Sequence, residues 1–125
     1  MLKCDILVDA KDIKQTILKL KNEDNYSILL DITAIDYLNY PDVTPSRFAV
    51  VYIFRDETFK KQISLKAYVD DLTLEVATIS DLYEAANWAE RETFDQYGIK
   101  FKGHTNLKRL LNHQFSLVCF HHWEN

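Results

Sequence analysis

Two glycines in a chain of 125 residues leave few places for left-handed backbone, and both fall within six residues, at Gly98 and Gly103. They close a segment, Asn87 to His104, that also carries Glu90, Arg91, Glu92, Asp95 and His104 among Trp88, Phe94, Tyr97 and Phe101. A plain amphipathic helix needs neither that charge density nor paired glycines. The segment therefore reads as a place where something docks or is held. Helical spacing runs through Leu82, Ala85, Ala86, Ala89 and Thr93, and the small residues on that stripe let a helix approach a sheet closely. Ser80 is a suitable N-cap, and Gly98 suits the left-handed position just past a helix end. The expectation is one long helix over about 81–97.

The rest of the chain supplies a sheet and a second helix. Leu2–Val8 reads as a short edge strand. Asp9 can cap a helix over about residues 10–22, whose stripe is Ile13, Ile17 and Leu20. Tyr26–Tyr37 reads as a strand with Ile28, Leu30, Ile32 and Ala34 on one face and Leu29 and Ile35 on the other. Both prolines lie in a loop, Asn39–Pro45. Arg47–Phe54 is apolar on both faces, the pattern of a central strand covered on each side. Lys61–Val69 alternates, with Ile63, Leu65, Ala67 and Val69 inward and Gln62, Ser64, Lys66 and Tyr68 outward. Leu74 and Val76 start a further short strand, and Asn106–Asn112 can form a short helix. Short connections point to an antiparallel sheet rather than crossover units. The fold class is α+β: a small, mostly antiparallel sheet carrying an N-terminal helix and the long helix. One domain, residues 1–111, precedes a divergent tail, 112–125.

Composition removes several function classes. An apolar fraction of 47% is too high for a disordered chain and enough for one core. A net charge of −4 argues against a nucleic-acid surface, which needs an excess of Lys and Arg. No apolar run approaches the roughly 20 residues that span a bilayer, and the N-terminal residues lack a secretory core. The expected location is cytoplasmic, with any membrane association through a partner. Cys4 and Cys119 read as reduced thiols. Without a Cys-x-x-Cys pair the chain has no usual means of holding an iron–sulfur cluster.

The charged residues of the segment admit several roles. Glu92 and Asp95, three apart, share a helix side, and Glu90 sits elsewhere on the wheel. Acid–base or metal chemistry would need converging ligands, and His104 lies beyond the helix end. A solvated face is the plain alternative. The favoured reading is an ion-pair network to the following loop, to Lys108 and Arg109, or to a partner, with Arg91 as hub because guanidinium binds carboxylates two at a time. Trp88, Phe94, Tyr97 and Phe101 read as core, with Trp88 and Tyr97 also able to anchor an interface. His104 reads as a surface residue or a loop hydrogen bond. His113, His121 and His122 in the tail do not make a metal site, because nothing supplies the groups that orient such ligands.

The run Glu90-Arg91-Glu92, Asp95, Gly98-Ile99, Phe101, Gly103-His104 and Leu107-Lys108-Arg109-Leu110-Leu111 resembles the signature of the 30 kDa subunit family of respiratory complex I, NADH:quinone oxidoreductase (NADH dehydrogenase). Leu30–Asp36 and Arg47–Tyr52 resemble two of that family's core strands, so the resemblance covers roughly residues 10–111. The same module occurs in membrane-bound NiFe hydrogenases. The resemblance implies a non-catalytic subunit of the cytoplasmic peripheral arm, on the cytoplasmic side of the cell membrane, bracing the large quinone-side (or NiFe-side) subunit and the small iron–sulfur subunit. It implies that FMN, clusters and quinone belong to the assembly, with no cofactor, metal or catalytic group on this chain. It assigns structural or partner-binding roles to Glu90, Arg91, Glu92, Asp95, Gly98, Phe101, Gly103, His104, Lys108 and Arg109. Gln96 and Thr105 depart from the family pattern, which has an apolar residue and a proline there. The tail lacks the family's usual Gly-(Tyr/His)-Pro-Leu-Arg-Lys-Asp segment. A free-standing interaction module of the same fold, and a small hydrolase or metal protein using Glu90, Glu92, Asp95 and His104, are the readings from other classes.

Overall fold

The computed structural model describes residues 5–104. Strand β1 (Ile6–Leu7) leads through a 3-10 turn (Ala10–Asp12) into helix α1 (Ile13–Glu23). Strands β2 (Ile28–Asp36), β3 (Phe48–Arg55) and β4 (Gln62–Tyr68) follow, then β5 (Glu75–Ala77), helix α2 (Glu84–Tyr97) and β6 (Lys100–Lys102). The main sheet has the order β1-β4-β3-β2. Its three long strands are antiparallel, and β1 joins β4 in parallel at the edge. β5 and β6 form a separate parallel pair joined through α2. The main sheet is thus mostly antiparallel, as expected, with one parallel edge strand, while β5–α2–β6 is a crossover unit of the kind the short connections argued against. A run as short as Lys100-Phe101-Lys102 carries too little alternation to announce a strand; its pairing with Glu75–Ala77 creates it.

One core holds the molecule. Phe48, Val50, Tyr52 and Phe54 of β3 point into it with Leu65 and Ala67 of β4. Ile13, Ile17 and Leu20 of α1 and Ala86 and Ala89 of α2 close the same core. Ala49 and Val51 on the opposite face of β3 are also fully buried. Ala49 lies between Ile35 and Tyr68, and Val51 between Thr33 and Lys66, on the neighbouring strands. The inward set read in β4 holds, since Leu65, Ala67 and Val69 are fully buried and Ile63 packs against the core; of the outward set Ser64 is buried as well, bonded to Asp5 of the segment before β1.

The faces of β2 differ from the sequence pattern. Leu29 pairs with Phe54 and Asp31 with Ile53, so Leu30 is an extra residue with no counterpart. A bulge of this kind reverses the alternation on one side of it. Leu29 therefore enters the core with Ile32 and Ala34, and Leu30 is 45% exposed. Asp31 turns its carboxylate onto the backbone N–H of Ile32 at 2.9 Å. The Thr93 hydroxyl of α2 shares its one proton between the Ala89 carbonyl at 2.9 Å and the Ile32 carbonyl at 3.2 Å. Both backbone groups of Ile32 are thereby satisfied at an edge strand that would otherwise offer them to another chain.

Helix starts differ as well. The Asp9 carboxylate makes no cap bond, and the turn it precedes is 3-10, not α. α2 begins at Glu84, with Tyr83 as its N-cap in extended conformation. Ser80 does not cap it. Residues 79–83 form turns instead, because the Tyr83 side chain is drawn into the core against Phe54 and its hydroxyl donates to the Tyr26 carbonyl at 2.5 Å. The far end follows the sequence. Gly98 is left-handed, at φ 77°, and its N–H reaches the Phe94 carbonyl at 2.8 Å.

Candidate functional site: a buried carboxylate beneath the glycine-closed helix

The crossover unit brings Thr78, just after β5, beneath the second turn of α2. Glu90 faces inward there and is fully buried. Its Oε1 accepts from the Thr78 hydroxyl at 2.5 Å and its Oε2 from the Ile79 backbone N–H at 2.8 Å. Thr78 Oγ1 in turn accepts the Ser80 N–H at 3.1 Å and lies 2.9 Å from the Ser80 hydroxyl. Burial raises the Glu90 pKa to about 7, against the lowering effect of the Thr78 and Ile79 hydrogen bonds. One carboxylate thus joins the middle of α2 to the chain that leads into it.

The glycine loop closes over the same point. The Thr78 N–H donates to the Lys102 carbonyl at 2.9 Å. Gly103, at φ 94°, brings its backbone so close that a β-carbon there would lie 3.0 Å from Thr78 Cγ2. His104 then folds back, and its Nε2 sits 2.9 Å from the Asn87 carbonyl. A carbonyl only accepts, so Nε2 carries the proton in this contact. The same nitrogen is 4.0 Å from Glu90 Oε1, and both side chains are at most 1% exposed. Tyr52 from β3 is fully buried near this cluster. Its hydroxyl has no hydrogen-bond partner among the described residues, and burial, with the Glu90 charge, pushes its pKa up.

The expected site residues divide sharply. Glu90, Gly103 and His104 come together, and Phe101, 2% exposed, packs below them. His104 makes the expected loop hydrogen bond and is interior, not a surface residue. Among the described residues no carboxylate lies within 4.0 Å of the Arg91 guanidinium, and the expected ties to Lys108, Arg109 or a partner lie outside those residues. Arg91 stacks on the Trp88 ring at 5.0 Å, and its Nε is buried without a hydrogen-bond partner among the described residues. Trp88 is 47% exposed rather than core, whereas Phe94 and Tyr97 do pack against the core. Glu92 is exposed. Burial raises the Asp95 pKa to about 6, with the Arg91 charge opposing and the Glu92 charge assisting the rise. Lys108 and Arg109 lie outside the described residues, as do Cys4, Cys119, the helix expected over 106–112 and the tail histidines. Among the described residues no three His, Cys, Asp or Glu side chains are grouped to hold a metal. Thr78 and Tyr52 were not legible as site residues, because neither lies in a motif and only the fold brings them to Glu90.

The arrangement around Glu90 is a set of interior ties: Glu90 and His104 of the charged segment are turned into the α+β domain, and Glu92 is turned out. Family comparison makes the class specific. The model of the respiratory-chain NADH dehydrogenase 30 kDa subunit matches residues 6–118, and the chain belongs to that family. It is 36% identical over 106 residues to the C subunit of the NADH-quinone oxidoreductase of Trichlorobacter lovleyi, covering 85% of this chain and 64% of that one. It is 38% identical over 91 residues to the corresponding subunit of Thermus thermophilus, covering 69% of this chain and 44% of that one. The chain thus spans under two thirds of the length of these relatives. Among solved structures, a trypsin-resistant fragment of Nqo5 superposes with a TM-score of 0.73 at 34% identity, covering 78% of this chain and 77% of that one. A chain of the membrane-bound sulfane sulfur reductase, an archaeal respiratory membrane complex, shares the fold with a TM-score of 0.70 at 22% identity, covering 86% of this chain and 63% of that one.

Proposed function

We propose that this chain is a non-catalytic structural subunit in the peripheral arm of a respiratory NADH:quinone oxidoreductase, bracing the quinone-side and cluster-bearing subunits. The observation that carries the reading is the use made of Glu90 in a chain of this family. The acid best placed for chemistry is consumed in joining Thr78, Ile79 and α2, and it faces no opening. Rigidity is what such a tie supplies. Electron transfer weakens steeply with distance, so a subunit that fixes the placement of redox-bearing neighbours serves the reaction without holding a redox group. We place this arm on the cytoplasmic side of the membrane, as the family resemblance implies; no described helix is long and apolar enough to cross a membrane.

An equivalent accessory place in a membrane-bound NiFe hydrogenase or a related complex is the second reading. It is favoured by the recurrence of the fold in the sulfane sulfur reductase assembly. One experiment separates these. The tagged chain is recovered from native membranes in mild detergent, and the proteins retained with it are identified by mass spectrometry. Flavin-bearing and quinone-side subunits are the expected companions. Hydrogenase subunits would move the chain to the second reading, and recovery of the chain alone would sink both.

A further inference from the structure

The end of the sheet opposite the β3–β4 turn carries a feature that the proposed bracing role leaves unused. Two loops meet there, residues 36–47 and 70–73. In each, an aspartate accepts the backbone N–H of a leucine two residues on. Asp36 Oδ1 takes the Leu38 N–H at 2.9 Å, and Asp70 Oδ1 takes the Leu72 N–H at 2.7 Å. These Asx turns hold the local backbone and leave both leucine side chains outward. Leu38 is 62% exposed and Leu72 94% exposed. Arg47 ties the two turns together. Its guanidinium binds both Asp36 oxygens at 2.9 Å, and its backbone N–H reaches Asp71 Oδ1 at 2.9 Å. Val43, at the tip of the proline-bearing loop, is 100% exposed.

Single exposed apolar residues need no explanation, but an organised group does. Here the same turn is built twice and cross-linked, so the leucines are presented by a braced platform. Preorganisation of this kind lowers the ordering cost of binding. The two loops carry Asp36, Asp42, Asp70 and Asp71 against Arg47; Lys66 lies on Tyr37, and Lys11 and Lys102 share a pocket with Asp9, Asp70 and Glu75, so acids still outnumber bases at this end. An anionic lipid surface or a nucleic acid would be repelled. A second copy meeting the first through the same patch would set acid against acid.

We propose that this crown docks a basic, apolar-rich polypeptide segment of another subunit, with Leu38, Val43 and Leu72 as apolar anchors and the aspartates steering it. The proposal rests on the reading of the chain as a subunit of a larger assembly.

The test uses the full tagged chain in native membranes solubilised in mild detergent. The Leu38→Ser/Leu72→Ser double variant is compared with wild type and with Phe59→Ser, an exposed apolar change at the other end of the sheet. The expected result is a loss of about tenfold or more in the fraction of the double variant that sediments with the assembly, as removal of two interface anchors gives. Phe59→Ser should sediment like wild type. In parallel, a photoreactive leucine analogue at Leu72 should cross-link a peptide rich in Lys or Arg and apolar residues on a different subunit, a readout that does not depend on the variant's folding. Retention of the double variant at the wild-type level, or cross-links confined to lipid or to a second copy, would overturn the proposal while leaving the subunit reading intact. Wild-type chain sedimenting alone would remove both.

Discussion

Glu90 and Asp36 both tie distant segments of this chain together, yet by opposite physics. Asp36 sits at the surface on Arg47, whose hydrogen bonds hold its pKa below the ordinary carboxylate range. Glu90 is fully buried and, among the described residues, has no lysine or arginine in contact, so burial lifts its pKa. A surface pair of the first kind is worth little, because water already solvates both charges and salt screens them. A buried carboxyl that satisfies a hydroxyl and an N–H is costly to lose, since its removal leaves buried donors unpaired. A lost tie should therefore cost more at the glycine-closed end than at the acidic crown, where Leu38, Val43 and Leu72 are exposed.

The largest effect should come from Glu90→Ala. It strands the Thr78 hydroxyl and the Ile79 N–H and opens a cavity, at a cost of about 2–4 kcal/mol. Thermal unfolding should show it as a fall of more than about ten degrees, at roughly 4–8 °C per kcal/mol for a domain of this size. Glu90→Gln, which mimics the protonated acid, should cost far less. Equal damage from both would mean that the charge, not the hydrogen bonding, holds the site.

Gly103 ranks next. A side chain there meets both a left-handed backbone and Thr78 at 3.0 Å, so Gly103→Ala should lose about 1–3 kcal/mol. Gly98 has the same backbone demand and open space around it. Gly98→Ala should lose only about 1 kcal/mol, and a Gly98 variant as damaging as Gly103→Ala would remove Thr78 from the account.

The pH dependence sharpens the contrast. The folded pKa of Glu90 is raised from 4.5 to about 7, so between those values the unfolded chain releases a proton that the folded chain keeps. Stability contributed by Glu90 is therefore greatest below pH 4.5 and declines as pH rises toward 7. Asp36 has the opposite sign: its contribution is present above its unfolded value of 3.8 and fades as pH falls through the lowered folded value. Melting curves between pH 4.5 and about 7 should show a downward component in wild type that shrinks in Glu90→Gln, most clearly above about pH 6, where Asp95, itself raised from 3.8 to about 6, has finished its own contribution of the same sign. An identical slope in the variant would place the titration elsewhere.

The smallest effects belong to the exposed side. Asp36→Asn should cost under about 1 kcal/mol, less in high salt. Arg91→Ala should also change the melting temperature little, since Arg91 has no carboxylate within ion-pair distance among the described residues, yet it should weaken recovery of the assembly. Undiminished co-purification of Arg91→Ala would end its assignment to a partner.

These differences also mark what a sequence can disclose. The stripe Ile13, Ile17 and Leu20, the alternation from Ile63 to Val69 and the stop at Gly98 were all legible, because each depends on local backbone geometry and on the period of apolar residues. The motif around Glu90 was legible as a place of constraint. Its wiring was not. Glu90 falls four residues after Ala86 and three before Thr93, on the inward stripe, so the helical period turns it inside and leaves Arg91 off that face; what the period does not disclose is the partner that makes burial of a carboxylate tolerable.

What the sequence determined alone is the two helices, the long strands and the family signature, since short-range sterics and hydrophobic period act within a few residues. The tertiary structure decided the rest. The extra residue Leu30 turned Leu29 inward. Tyr83, seated against Phe54 and bonded to Tyr26, delayed the start of α2 past Ser80. The β5–α2–β6 crossover placed Thr78 under Glu90. Each of these turns on partners far apart in the chain. Their energies exist only once the core has assembled, and there the cost of an unpaired buried group outweighs local preference.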